Sequence, residues 1–178
     1  GNIIGGGAHC MGPAPDMQEH LVVPSGAANI MEAIELMLKV HQVTGELLEK
    51  GNYGFTGGSD DENAWTANLD DKTALDLIRD ACDRVSFDEG KEILMGIDLA
   101  ADRLWDSEKQ VYRYFREETE RTVKQQFEYI SGLIENYNLV YVEDVFESND
   151  YESFAALNKL YGNKCMVCAD DIYASNYE

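Results

Sequence analysis

The chain has 178 residues, with 14 Lys and Arg against 34 Asp and Glu, for a formal net charge of −20. So acidic a chain argues against nucleic acid and anionic lipid as partners, because both are gripped by clustered Lys and Arg. With no run of about 18 apolar residues and no signal-like start, the expectation is a cytoplasmic protein off the membrane. The length suits one domain with one core, whereas a complete eight-fold β/α barrel takes about 250 residues.

The chain opens on a Gly- and Pro-rich loop, Gly1 to Asp16, within which Asn2-Ile-Ile-Gly5 reads as the tail of a strand. Met17 to Pro24 reads as a strand stopped by a Pro-Ser-Gly turn. A helix is expected from about Asn29, a capping residue with Glu32 three positions on, to Glu49 before Gly51. Its apolar stripe would be Ile30, Ala33, Ile34, Met37, Val40 and Leu47. Residues 52–68 read as a Gly- and Asp-rich loop. A second helix, about Asp71 to Val85, carries Leu75, Ile78, Ala81 and Val85 on one face. A strand follows at Ile93–Asp98, then a small hairpin within Trp105 to Phe115. A third helix is expected over Glu117 to Tyr137, with the charge run Arg116–Arg121 as its solvated start. Leu139–Glu143 is a strand, Asp150 to Gly162 a helix and Cys165–Asp170 a strand, after which another helix should begin.

Three of these strands are short, nearly all apolar, and end on an acid: Asp98, Glu143 (followed by Asp144) and Asp170 (followed by Asp171). Such runs read as strands buried on both faces. Helical segments between them imply parallel strands with crossovers, which puts the three carboxylates at one end of the sheet. Converging acids repel unless a cation joins them, and an oxygen-only set suits a hard divalent ion, Mg²⁺ above all. The C-x-x-C of Cys165 and Cys168 lies inside the last run, where alternation aims the two thiols at opposite faces. With no second pair beside them, they read as small buried hydrophobes of a reduced protein rather than a redox or zinc motif.

Two loops carry further chemistry. His9 follows three glycines, and Gln18-Glu19 opens the next strand. Asp60-Asp61-Glu62 sits near Gly57, Gly58 and Trp65. Taken singly, each of these is an ordinary polar loop or strand start. Taken together and in order, the chain resembles the large barrel domain of enolase (phosphopyruvate hydratase). The matching pieces are Gly6-Gly-Ala-His9, Gln18-Glu19, Asp61-Glu62 with Asn68-Leu69, Met95-Gly-Ile-Asp98, Val142-Glu143-Asp144 and Ala169-Asp170-Asp171.

The resemblance implies an α/β fold, roughly the first half of an enolase-type TIM-like (β/α) barrel with both ends truncated, over a single partial domain 1–178. It implies Asp98, Glu143 and Asp170 as Mg²⁺ ligands, Glu62 and Glu19 as the acid-catalytic pair, and His9 and Gln18 as substrate-contacting residues. The implied reaction interconverts 2-phosphoglycerate and phosphoenolpyruvate plus water, in a parent that is a homo-oligomer. Departures are Asn63-Ala64 where a glycine pair is usual, one extra residue between His9 and Gln18, and His20 where an aromatic is common. The family's base, a lysine on a later strand, lies beyond these residues, so the segment is expected to be inactive and poorly stable alone. The competing readings are another enolase-superfamily member, or a diverged, non-catalytic protein that binds a metal or a partner.

Overall fold

The computed structural model describes residues 1–174. Strand β1 (Asn2–Gly5) runs antiparallel to β2 (Glu19–Val23), and helix α1 (Ile30–Lys50) follows. Helix α2 (Asp71–Glu89) leads into β3 (Leu94–Asp98), then comes a small antiparallel sheet of β4 (Trp105–Asp106), β5 (Val111–Tyr114) and β6 (Thr119–Thr122). Helix α3 (Val123–Tyr137), β7 (Tyr141–Glu143), α4 (Tyr151–Tyr161), β8 (Met166–Cys168) and α5 (Asp170–Tyr173) complete the order. The main sheet runs β1-β2-β3-β7-β8 and does not close. Strands β3, β7 and β8 are mutually parallel, as the crossover rhythm requires, while β2 is antiparallel to its neighbours on both sides.

Caps account for the helix starts. Asn29 Oδ1 accepts from the Glu32 amide at 3.1 Å and Asp70 Oδ1 from the Thr73 amide at 2.7 Å, each satisfying an amide that the first turn leaves unpaired. Helix α3 begins at Val123, six residues later than its sequence pattern suggests. Thr122 and Gln125 form a reciprocal capping box there, and the charge run before it is spent on the β5–β6 turn and on β6. Alternating cross-strand partners, such as Arg113 with Glu120, override a run that is equally good as a helix start.

The core lies between the main sheet and α1, α2, α3 and α4. In α2 the expected face is buried, with Leu75, Ile78 and Ala81 fully enclosed. In α1 the buried row is instead Leu36, Val40, Thr44 and Leu48, at four-residue spacing. Ile30, Met31, Ile34 and Leu38 form an exposed apolar row, which none of the described residues covers. The sequence offers two apolar faces on this helix, and contact with α2 selects one of them. Strand β8 departs from the expectation of burial on both faces: Met166 is 65% exposed, because β8 is an edge of the sheet. Among the described residues no helix is long and apolar enough to cross a membrane.

Candidate active site

One row of residues crosses all five strands of the main sheet. Gly5 pairs with Glu19, Glu19 with Asp98, Asp98 with Glu143, and Glu143 with Cys168. Because the pairing is continuous, three acids from three strands stand level at one end of the sheet. Asp170 lies two residues past Cys168, as the first residue of α5. The sequence pattern thus locates Asp98 and Glu143 at strand ends, whereas Asp170 begins the helix expected to follow its strand.

The row is electrostatically strained. Burial, then the neighbouring Glu143 and Glu19 charges, push the Asp98 carboxyl up to about 7, against one backbone bond from the Ala100 amide at 2.9 Å. Asp144 is likewise pushed up to about 7 by burial, with the Asp171, Asp98 and Glu143 charges adding to it. The partners of Asp98 and Glu143 are neutral: Gln18 Nε2 donates to Asp98 Oδ2 at 3.4 Å, and the Tyr141 hydroxyl donates to Glu143 Oε2 at 2.6 Å. Among the described residues neither acid has a Lys, Arg or His within ion-pair distance. Asp98 and Glu143, clustered and without an ion-pair partner among the described residues, are oxygen donors that fit a hard divalent ion.

The second half of the site comes from two loops. His9 ends a single 3₁₀ turn, Gly7–His9, and its Nδ1 lies 2.7 Å from Asp61 Oδ1. That bond, more than any other influence, raises the His9 pKa and lowers that of Asp61. It also turns the imidazole so that Nε2 lies 3.9 Å from Glu19 Oε1. Ligating atoms of His9, Glu19 and Glu62 all fall within 4.8 Å of one another, the one group of three that close among the described residues. Asp98, Glu143 and Asp170 are not drawn into so tight a set. Burial pushes the Glu19 carboxyl up to about 7, helped by the charge of Glu62 and a hydrogen bond to it and opposed by His9. The Glu62 charge beside it makes the buried Glu19 carboxyl keep its proton to higher pH than a free carboxyl would.

The three adjacent acids of the second loop divide their labour. Asp60 is structural: its Oδ1 accepts from the amides of Glu62 at 3.0 Å and Ala64 at 2.9 Å, closing the turn. Gly5 leaves room for it, since a Cβ there would run into the Asp60 carboxylate. Asp61 serves His9, and Glu62 faces Glu19 with Asn2 Nδ2 donating to its Oε2 at 3.2 Å. Asn63 takes φ +68°, a left-handed conformation that asparagine tolerates better than most residues, so it fills a glycine position without breaking the turn.

The remainder of this loop is less free than its composition implies. Trp65 lays one rung along β1, its amide donating to Ile3 O at 2.9 Å and its carbonyl accepting from Gly5 N at 3.1 Å. His20, the residue after Glu19, alternates to the opposite face of β2 and is fully buried; its Nδ1 donates to Ile4 O at 2.9 Å, and burial pushes its pKa down to about 4. It belongs to the packing beneath the site. Asn2, Tyr141 and His41, which touch Glu62, Glu143 and the acidic loop, carry no signal in the sequence, since each side chain reaches the site only through the fold.

Acids level at the end of an open sheet whose β3, β7 and β8 are parallel and joined by helices define a segment of a β/α barrel that carries its polar site at the strand ends. The chain belongs to the enolase family. The family model described as "Enolase, C-terminal TIM barrel domain" matches residues 1–178. The enolases of Methanosphaera stadtmanae and Methanothermobacter thermautotrophicus are each 42% identical over 178 residues, all of this chain and 43% of the relative. The enolase of Pyrobaculum aerophilum is also 42% identical over 178 residues, which is 42% of its length. The chain therefore spans less than half the length of the curated relatives it matches.

Proposed function

We propose that residues 1–178 form the metal and acid half of an enolase barrel, in a full-length protein that interconverts 2-phosphoglycerate and phosphoenolpyruvate plus water. The observation that carries this reading is the Glu19–Glu62 pair set beside the Asp98–Glu143 row. Removing a proton next to a carboxylate loads the substrate with negative charge, and losing hydroxide from the next carbon requires a proton donor. Asp98, Glu143 and Asp170 are the proposed Mg²⁺ ligands, and the bound ion would supply charge stabilisation to the substrate's anionic groups. Glu19, raised to about 7, carries the proton near neutral pH, and together with Glu62 beside it forms the acid pair that delivers this proton to the departing hydroxyl, which leaves as water. Asp61 orients His9, which stands beside Glu19 and closes over substrate, while Gln18 offers its amide to substrate from beside Asp98. The base that takes the substrate's proton is assigned to the part of the relatives' length that this chain does not span. We further propose that the full-length protein is cytoplasmic and a homo-oligomer, a reading that its likeness to enolases supports.

Support for catalysis over a diverged, non-catalytic role comes from Asn63. The replacement of a usual glycine is absorbed by its left-handed backbone, so Glu62 still faces Glu19. The test is Glu62→Gln and Glu19→Gln in the full-length protein. Each should slow dehydration by about 10²- to 10⁴-fold, the usual contribution of general acid–base catalysis. A wild-type rate in Glu62→Gln would remove the assignment.

A further inference from the structure

The turn that presents Asp61 and Glu62 is gripped from behind by one residue of α1. His41 Nε2 lies 3.0 Å from Asn63 O, and since a carbonyl only accepts, Nε2 carries the proton. The same imidazole stacks on the Trp65 indole, with centroids 4.2 Å apart and planes inclined by 20°. Trp65 Nε1 in turn donates to the backbone carbonyl of His41 at 2.7 Å. One helical turn on, Gly45 leaves room for the ring: a Cβ there would meet the indole at 3.1 Å. Phe55 closes the other side edge-on at 5.4 Å. Thus His41 holds Asn63 by a hydrogen bond and Trp65 by its ring, the two residues immediately beyond Glu62 and Ala64.

We propose that His41 is a positioning residue for the Glu62–Glu19 pair and for the His9–Asp61 bond. Asp61 and Glu62 reach their partners by single side-chain contacts from an exposed turn, so the location of the turn sets both distances. The turn has two outside anchors along its backbone, the Trp65 rung on β1 and the His41 bond to Asn63. The rung fixes where the loop returns to the sheet. Asp60 closes the Asp61–Glu62 end on itself, and the His41 bond is what ties that closed turn to α1. Small displacements matter here, because a misplacement of about 1 Å in a reacting group costs roughly 10²-fold in rate. The inference rests on the reading of Glu19 and Glu62 as the acid-catalytic pair, and its test separates the two.

The variants are His41→Ala, His41→Gln, which keeps a donor without the ring, and His41→Phe, which keeps the ring without the donor. They are made in the full-length protein, with a matched thermal melt on each. The first readout is the assigned NMR titration of His9 in metal-free protein, whose pKa is raised chiefly by its bond to Asp61. In His41→Ala we expect it to move down toward the ordinary histidine value, with kcat reduced about 10- to 100-fold and KM little changed. At least one single-function variant, His41→Gln or His41→Phe, should recover part of both readouts. An unmoved His9 titration in all three variants would overturn the proposal, as would an unmoved kcat in a protein where Glu62→Gln is strongly impaired. A shifted His9 titration with kcat unaffected by both His41→Ala and Glu62→Gln would support the positioning role and instead overturn the catalytic reading.

Discussion

His9 Nδ1 and Asp61 Oδ1, 52 residues apart in sequence, meet at 2.7 Å and tie the glycine-rich loop to the acidic turn. The bond raises the pKa of His9 and lowers that of Asp61, so it is strongest when the imidazole is charged and the carboxyl is not protonated. For a histidine raised in the folded state, the added stability is fully present below the ordinary value near 6.5 and is lost as pH rises through the raised value. Asp61→Asn should therefore lower the His9 pKa and loosen the loop at pH 6 while changing little at pH 9. Assigned histidine NMR titrations with amide exchange over residues 7–18 measure both, and an unchanged His9 titration would contradict the assignment.

Asp71 supplies a prediction of opposite sign to the usual aspartate. Its Oδ1 accepts from the Met17 amide at 3.0 Å, its Oδ2 is buried with no hydrogen-bond partner among the described residues, and desolvation pushes the carboxyl up to about 7. The folded state thus binds the proton more tightly than the unfolded chain, and stability falls as pH rises from about 4 to about 7. A rise from 3.8 to about 7 is worth at most about 4 kcal/mol at about 1.4 kcal/mol per unit. Asp71→Asn keeps the acceptor for Met17 and removes the charge. It should match wild type in urea unfolding near pH 4 and exceed it by about 2–4 kcal/mol at pH 8.

These cases show which parts of the molecule are legible in the chain. Asp98 and Glu143 are readable because a buried parallel strand is a continuous apolar run, and its polar end is then conspicuous. The three parallel strands and the buried face of α2 follow from the same regularity. The buried row of α1 does not, since Ile30 and Ile34 are as apolar as Leu36 and Val40, and only the position of α2 decides between them. Nor do the separate jobs of Asp60, Asp61 and Glu62, three neighbouring acids with one composition and three different partners. Local pattern reports what a residue must avoid, and tertiary register reports what it meets.

Asn63 tests how far the acidic turn tolerates change. At φ +68°, a β-carbon is strained unless the side chain can bond locally, and Ser59 Oγ donates to Asn63 Oδ1 at 3.4 Å. Asn63→Ala should cost about 1–2 kcal/mol, whereas Asn63→Gly should fold with nearly wild-type stability. Chemical denaturation of the two variants side by side provides the comparison. Equal losses would show that the side chain, and not the backbone conformation, matters at this position.

The proposed metal site carries its own pH signature. With Asp98 pushed up to about 7, the metal-free site holds a proton at neutral pH that a divalent ion must displace from that ligand, and the neighbouring Asp144 is raised likewise. Affinity for Mg²⁺ should therefore rise with pH between about 5 and 7, by up to about tenfold per unit for each ligand proton released, and level off above that range. Isothermal titration in two buffers of different ionisation enthalpy counts those protons directly. Saturating ion should also raise stability by RT ln(1 + [Mg²⁺]/Kd), about 2.7 kcal/mol at a hundredfold excess over Kd. Asp98→Asn should abolish both the released proton and the metal-induced stabilisation. Asp16→Asn is the control: the Asp16 carboxylate accepts from the Phe115 and Arg116 amides at 2.9 and 2.8 Å, in a different network, and its loss should leave both intact. Metal stabilisation that persists in Asp98→Asn would move the ion away from the strand-end row, and a pH-independent affinity would show that the acids are already ionised before it arrives.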